Sequence, residues 1–181
     1  PLPALDLADV IASAARPDPS TAVALGSTLL GPLHAQRRRM SATMCELAAL
    51  ITSDLNLVWD WATPSVVAGE TSEPSPPAVR RGPLGFLLYS LDEAVLRRVA
   101  TALGTLYPEA RVSTSSDKVG SPRLRDLAAR AEVVVLATQC AAHSATGFIV
   151  DHKRPDAMLV YPDGAGSASM LRAIELALEL R

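Results

Sequence analysis

Two stretches near the C-terminus restrict what this chain can fold into more than anything else in it. Glu132-Val133-Val134-Val135-Leu136-Ala137 is a continuous apolar run that stops at Thr138-Gln139-Cys140-Ala141-Ala142-His143-Ser144. A second run, Ala157-Met158-Leu159-Val160-Tyr161, stops at Pro162-Asp163-Gly164-Ala165-Gly166-Ser167. A strand covered on one face alternates apolar and polar residues, whereas a continuous run belongs to a strand covered on both, which is the mark of a parallel sheet between helical layers. Such sheets bind ligands beyond the carboxyl ends of their strands, and small and polar residues gather at both of these ends.

From residue 84 onward the alternation is regular. Strands are predicted at 84–90, 111–114, 132–137 and 157–161, and helices at 92–106, 121–130, 141–152 and 167–180. With right-handed crossovers this is a small doubly wound α/β unit of four parallel strands in the order 2-1-3-4, with its switch point between the first and third strands. The runs at 84–90, 132–137 and 157–161 are expected side by side in the centre of the sheet.

The preceding residues, 1–62, read as helical. Leu5, Ala8, Ile11, Ala12 and Ala15 mark a first helix, and after the break Pro17-Asp18-Pro19-Ser20 a second run spans 21–30 with Ser20 as its N-cap. From Leu33 a long helix is predicted to carry Met40, Met44, Leu47, Ile51 and Leu55 at spacings of three and four, continued by Val58 and Trp59. Such a stripe needs a covering surface. Two occupants fit equally, the α/β unit itself or a protein partner or remainder of a larger chain, and the partner is the expectation carried forward. Residues 63–82 lose periodicity and collect Pro64, Pro74, Pro76 and Pro77, the composition of a linker between a helical segment (1–62) and an α/β domain (83–181).

Composition excludes several classes. Of 181 residues 49% are apolar, enough for a core, and 17 basic against 19 acidic side chains leave no bulk field toward nucleic acid or anionic lipid. No stretch approaches the roughly 20 apolar residues of a membrane span, so the expectation is a cytoplasmic protein without membrane contact. Cys45 and Cys140 lie far apart and outside any metal-binding spacing, and are read as free thiols in a reducing compartment. No metal pattern or paired carboxylates suited to glycoside chemistry occur, and no cofactor is identified. The opening Pro1-Leu2-Pro3 runs straight into a helix, as expected of a piece of a longer polypeptide.

The candidate ligand-binding residues are Ser90, Ser115, Thr138, Gln139, His143, Ser144, Asp163, Gly164, Gly166 and Ser167, all at predicted strand ends. The segment from Asp163 to Ser167 follows a strand and opens a helix, so free N–H groups and the helix dipole suit a phosphate, sulfate or carboxylate. A tight turn with Ser167 or Asp163 as helix cap explains the same residues. Cys140 and His143 lie one helical turn apart, yet nothing beside Cys140 stabilises a thiolate, so structural or ligand-contact roles are expected. Ser113, Thr114, Ser115, Ser116, Asp117 and Lys118 follow the second strand, where doubly wound proteins hold a ribose or a base, and where a solvated loop has the same composition. Arg37, Arg38 and Arg39 are the densest basic cluster, but with only 4% aromatic residues the chain lacks a stacking platform for nucleic acid.

Asp117 to Arg130 (DKVGSPRLRDLAAR), Ala131 to Leu136, Gln139-Cys140-Ala141-Ala142-His143-Ser144 and Gly166 to Glu175 resemble the bacterial family called domain of unknown function 2325, over residues 84–181. The resemblance implies a small Rossmann-like fold and a pocket near the Cys-x-x-His segment, where Gln139 replaces the acidic residue common in that family. The function expected is a non-catalytic ligand-binding or regulatory and interaction module with an anion or nucleotide pocket. The alternatives are an enzyme acting on a nucleotide or phosphorylated small molecule and, third, a nucleic-acid-binding accessory protein.

Overall fold

Four parallel strands, β1 (Gly85–Tyr89), β2 (Arg111–Ser115), β3 (Val133–Leu136) and β4 (Met158–Val160), form one sheet in the order β2-β1-β3-β4 in the computed structural model. Among the described residues seven α-helices accompany them: α1 (Leu2–Ser13), α2 (Pro19–Ala35), α3 (Ala42–Asp54), α4 (Glu93–Leu106), α5 (Pro122–Arg130), α6 (His143–His152) and α7 (Ser167–Glu179). The structure describes residues 2–13, 18–62, 84–140 and 142–179, so the linker at 63–82, Ala15 and the Cys140 side chain lie outside the described residues. The parallel, doubly wound arrangement and its strand order agree with the reading of the apolar runs.

Leu87 pairs with Ser113 on one side and with Val134 on the other, and the period-two alternation of each strand divides the core in two. Phe86, Leu88, Val133, Val135 and Val160 face α4 and α7, against Val99, Leu103, Met170, Leu171 and Ile174. Leu87, Tyr89, Val134 and Leu136 face α5 and α6, against Leu124, Ala128, Ala145 and Ile149.

Helices α1–α3 form a further layer over α4 and α7. Leu5, Leu30, Leu47, Ile51 and Leu55 are fully buried in the same cluster as the sheet. This corrects the expectation that the stripe from Met40 to Trp59 meets a partner. Met44, Leu47, Ile51 and Leu55 are consumed inside the chain, and Met40 and Trp59 pack half-buried against the same cluster, while Val58 is exposed. Burial of each such side chain contributes about 1.5–3 kcal/mol, a strong pull for a helix already tethered beside an apolar surface.

The single helix expected from Leu33 is also corrected. α2 runs through Pro32 to Ala35, Arg37–Arg39 form a 3-10 turn, and α3 starts afresh at Ala42. Ser41 drives the restart, because its Oγ accepts from Met44 N at 3.2 Å and so satisfies a donor that an uninterrupted helix would bond internally. At α2 the cap is Asp18 rather than Ser20. Its carboxylate accepts from the N–H groups of Ser20 and Thr21 at 3.0 and 3.1 Å, with Pro19 at the first helical position.

β4 is a margin of the sheet, not part of its centre. It pairs with β3 alone, Met158 and Leu159 are half-buried, and Tyr161 just beyond it is 53% exposed. Among the described residues no helix is long and apolar enough to cross a membrane.

Candidate functional site

The expected single pocket resolves into three separate places. The first is the segment from Asp163 to Ser167, and the anion there comes from the chain itself. Ala168 N and Ser169 N donate to Asp6 Oδ1 at 3.1 and 3.4 Å, Ser169 Oγ donates to Asp6 Oδ2 at 2.7 Å, and Ser167 donates through both its N–H and its Oγ to Asp9 Oδ2. A Cβ on Gly166 would overlap the Asp6 carboxylate, and one on Gly164 would lie 3.1 Å from Ser169 Cβ. The start of α7 is thus an anion site by every physical criterion applied to the sequence, but α1 fills it. At Ser167, Ala168 and Ser169 the N–H groups that an external anion at Asp163, Gly164, Gly166 and Ser167 was expected to meet are taken by two internal carboxylates, which no local pattern in 163–167 signals.

Asp9 also anchors the helical layer. It is buried, as is Arg98 of α4, and Arg98 Nη1 pairs with Asp9 Oδ1 while its Nε and Nη2 donate to Asp54 Oδ2 at 3.2 and 2.8 Å. One polar chain, Ser167–Asp9–Arg98–Asp54, ties together α7, α1, α4 and α3.

The second place is the surface after β3. Thr138, Gln139 and His143 are exposed; Gln139 Nε2 donates to Asp163 O at 2.7 Å, and Ser144 Oγ donates to Lys118 O at 2.7 Å. The crevice between the carboxyl ends of β1 and β3, where the strand order reverses, is spanned by the buried ring of Tyr89. Its hydroxyl donates to Asp117 O at 2.7 Å and accepts from Ala142 N at 3.4 Å. Burial pushes the Tyr89 phenol above its ordinary pKa, and the nearby Asp117 charge adds to the effect against the hydrogen bond from Ala142. Tyr89 thus ties the loop after β2 to the start of α6 at the carboxyl end of β1.

The third place is open. A cleft of about 630 Å³ lies between α4 and the end of β2, lined by Glu93, Arg97, Thr101, Thr114, Ser115, Ser116, Asp117 and Arg123. Of the ten candidate ligand-binding residues only Ser115 lines it, joined by Thr114, Ser116 and Asp117 from the loop after the second strand; Ser90 is buried, its Oγ accepting from Asp92 N at 3.1 Å and its N–H donating to Ser115 O at 3.3 Å. Ser115 Oγ accepts from Asp117 N at 3.2 Å, and Ser116 Oγ donates to Glu93 Oε1 at 3.0 Å. Arg97 and Arg123 are exposed and, among the described residues, neither side chain makes an ion pair or hydrogen bond. The helix N-termini nearby are occupied: Asp92 Oδ1 accepts from Ala94 and Val95 N–H, and Ser121 Oγ from Leu124 N–H.

Sequence reasoning missed Arg97 and Arg123. The legible signal was Arg123 itself, a cation in the first turn of α5, where the helix dipole disfavours positive charge unless something anionic compensates. Of the basic cluster, Arg37 turns back to donate to His34 O at 3.1 Å, while Arg38 and Arg39 face solvent. Among the described residues no group of His, Cys, Asp and Glu is arranged to hold a metal ion. Cys45 is a buried free thiol whose pKa is raised by that burial.

Fold and site together define a four-stranded doubly wound α/β protein with a helical layer over one face and a charged cleft at the end of its outer strand β2. A family model described as DpdD-like matches residues 3–173, from α1 well into α7, and the chain belongs to that family. This overturns the resemblance to domain of unknown function 2325, which rested on short segments of residues 84–181 and left α1–α3 unaccounted for. No curated protein and no solved structure matches the chain.

Proposed function

We propose that this chain is a ligand-binding module whose site is the cleft at the carboxyl end of β2, and that its ligand is a small hydroxylated anion of the sugar-phosphate or nucleotide class. The observation that carries this reading is the pair Arg97 and Arg123, two guanidinium groups without a partner among the described residues on the walls of one cleft. A guanidinium binds phosphate or carboxylate oxygens in a forked geometry, and two of them lining one cleft suit an anionic group. Glu93, Asp117, Thr101 and Ser116 supply the acceptors and hydroxyls that a polyol would meet. The lining supports binding rather than catalysis, because its carboxylates are tied to Ser116 and Ser121 hydroxyls and no His, Lys or Cys accompanies them among the described lining residues.

The test is calorimetric titration with a pentose phosphate, a purine nucleoside monophosphate and inorganic phosphate. At least one organophosphate binds, and Arg97→Ala and Arg123→Ala each weaken it about tenfold or more, the loss expected for one charge-assisted hydrogen bond, with unchanged melting temperature. Absence of binding by all three probes, or binding that survives the double substitution, overturns the reading.

A further inference from the structure

The sheet ends in two strands that each pair on one side only, β2 and β4. β4 is three residues long and Pro162 follows it, but its own residues, Met158-Leu159-Val160, carry no charge, the other common guard of an open edge. Beside it a largely apolar groove of about 480 Å³ runs between β4 and α7, rimmed by Tyr161 at 53% exposure and Leu176 at 47%.

We propose that a second copy of this chain occupies this edge, its β4 antiparallel to the first across a two-fold axis normal to the sheet, so that two four-stranded sheets become one of eight. The charges select this occupant. On α7, Arg172 and Glu179 are seven residues apart and so share a stripe, with Leu176 between them. A two-fold axis normal to the sheet sets α7 antiparallel to its copy on the same face, which brings Arg172 of each chain against Glu179 of the other and the two Leu176 side chains together near the axis. Opposite charges at the two ends of one apolar stripe are self-complementary in this arrangement and like-against-like in the parallel one.

Sedimentation velocity on the chain over a micromolar concentration series tests it. A concentration-dependent dimer is expected. Arg172→Glu alone and Glu179→Arg alone each shift the equilibrium toward monomer by at least tenfold, and the double reversal restores the dimer; both positions are exposed, and circular dichroism confirms that each of the three variants is folded. A monomer at every concentration means that something other than a second copy covers β4 and overturns the proposal, as does a dimer indifferent to both single reversals.

Discussion

Asp6 occupies the space that a side chain at Gly166 would need: a Cβ added there would come 3.0 Å from Asp6 Cβ and would overlap the carboxylate itself. The glycine after β4 therefore serves the approach of α1, and the oxyanion it admits belongs to the same chain. Gly166→Val is expected to destabilise the protein by about 1–3 kcal/mol through overpacking. If the clash with Asp6 is the cause, the double variant Asp6→Ala, Gly166→Val will be more stable than the sum of the two single effects in urea unfolding. Strict additivity would place the strain elsewhere.

Burial ranks the two partners of Arg98. Asp9 is 2% exposed, whereas the Asp54 side chain is 50% exposed. Removing a partner from a buried pair strands a charge and costs about 3–5 kcal/mol, while an exposed pair is worth about 1 kcal/mol or less. Arg98→Leu should thus be severely destabilising, detaching α1 from α4, and Asp54→Asn nearly neutral. Equal losses in chemical denaturation would mean that the polar chain is not anchored at Asp9.

Tyr89→Phe removes the hydroxyl shared by Asp117 O and Ala142 N, at an expected cost of about 1–2 kcal/mol. Amide hydrogen exchange should quicken at the loop after β2 and at the start of α6, and nowhere in α1–α3. Because the folded phenol titrates above its unfolded value, the native state holds its proton at a pH where the unfolded chain has lost it. Stability from this group is complete below pH 10 or so and declines as pH rises toward the folded pKa. Denaturation midpoints across that alkaline range should fall more steeply for the parent than for Tyr89→Phe.

Asp18 gives the acid-side counterpart. Hydrogen bonds from Thr21 and Ser20 hold its carboxyl at a pKa of about 2, against an ordinary value of 3.8. The depressed value means that its capping contribution is present above pH 4 or so and is lost as pH falls through the interval down to about 2. A carbon-detected titration of the Asp18 carboxyl should show this midpoint in the parent, and Thr21→Val should raise it.

The sheet was legible because each determinant is local. Val133 to Leu136 can only be a two-sided strand, Asp92 and Ser121 announce their helices, and small polar residues mark the strand ends. What could not be read depends on distant parts of the chain. Asp6 and Asp9 lie on α1, more than 150 residues before the segment they fill, and nothing in Gly164-Ala165-Gly166-Ser167 distinguishes an internal carboxylate from a phosphate. The stripe of Leu47, Ile51 and Leu55 likewise states only that it must be covered. The open cleft was half visible: the Ser113 to Lys118 loop suggested it, but Arg97 and Arg123 come from two helices that meet there only after folding.

α1 supplies the anion for α7, and the ligand site proposed above is the cleft at the end of β2 instead. The most direct measurement is a backbone amide correlation spectrum recorded during titration with a pentose phosphate. Shifts are expected at Thr101, Ser115, Ser116 and Asp117, with Ser167, Ala168 and Ser169 unmoved. Perturbation centred on Ser167 to Ser169, with the β2 cleft silent, would contradict it.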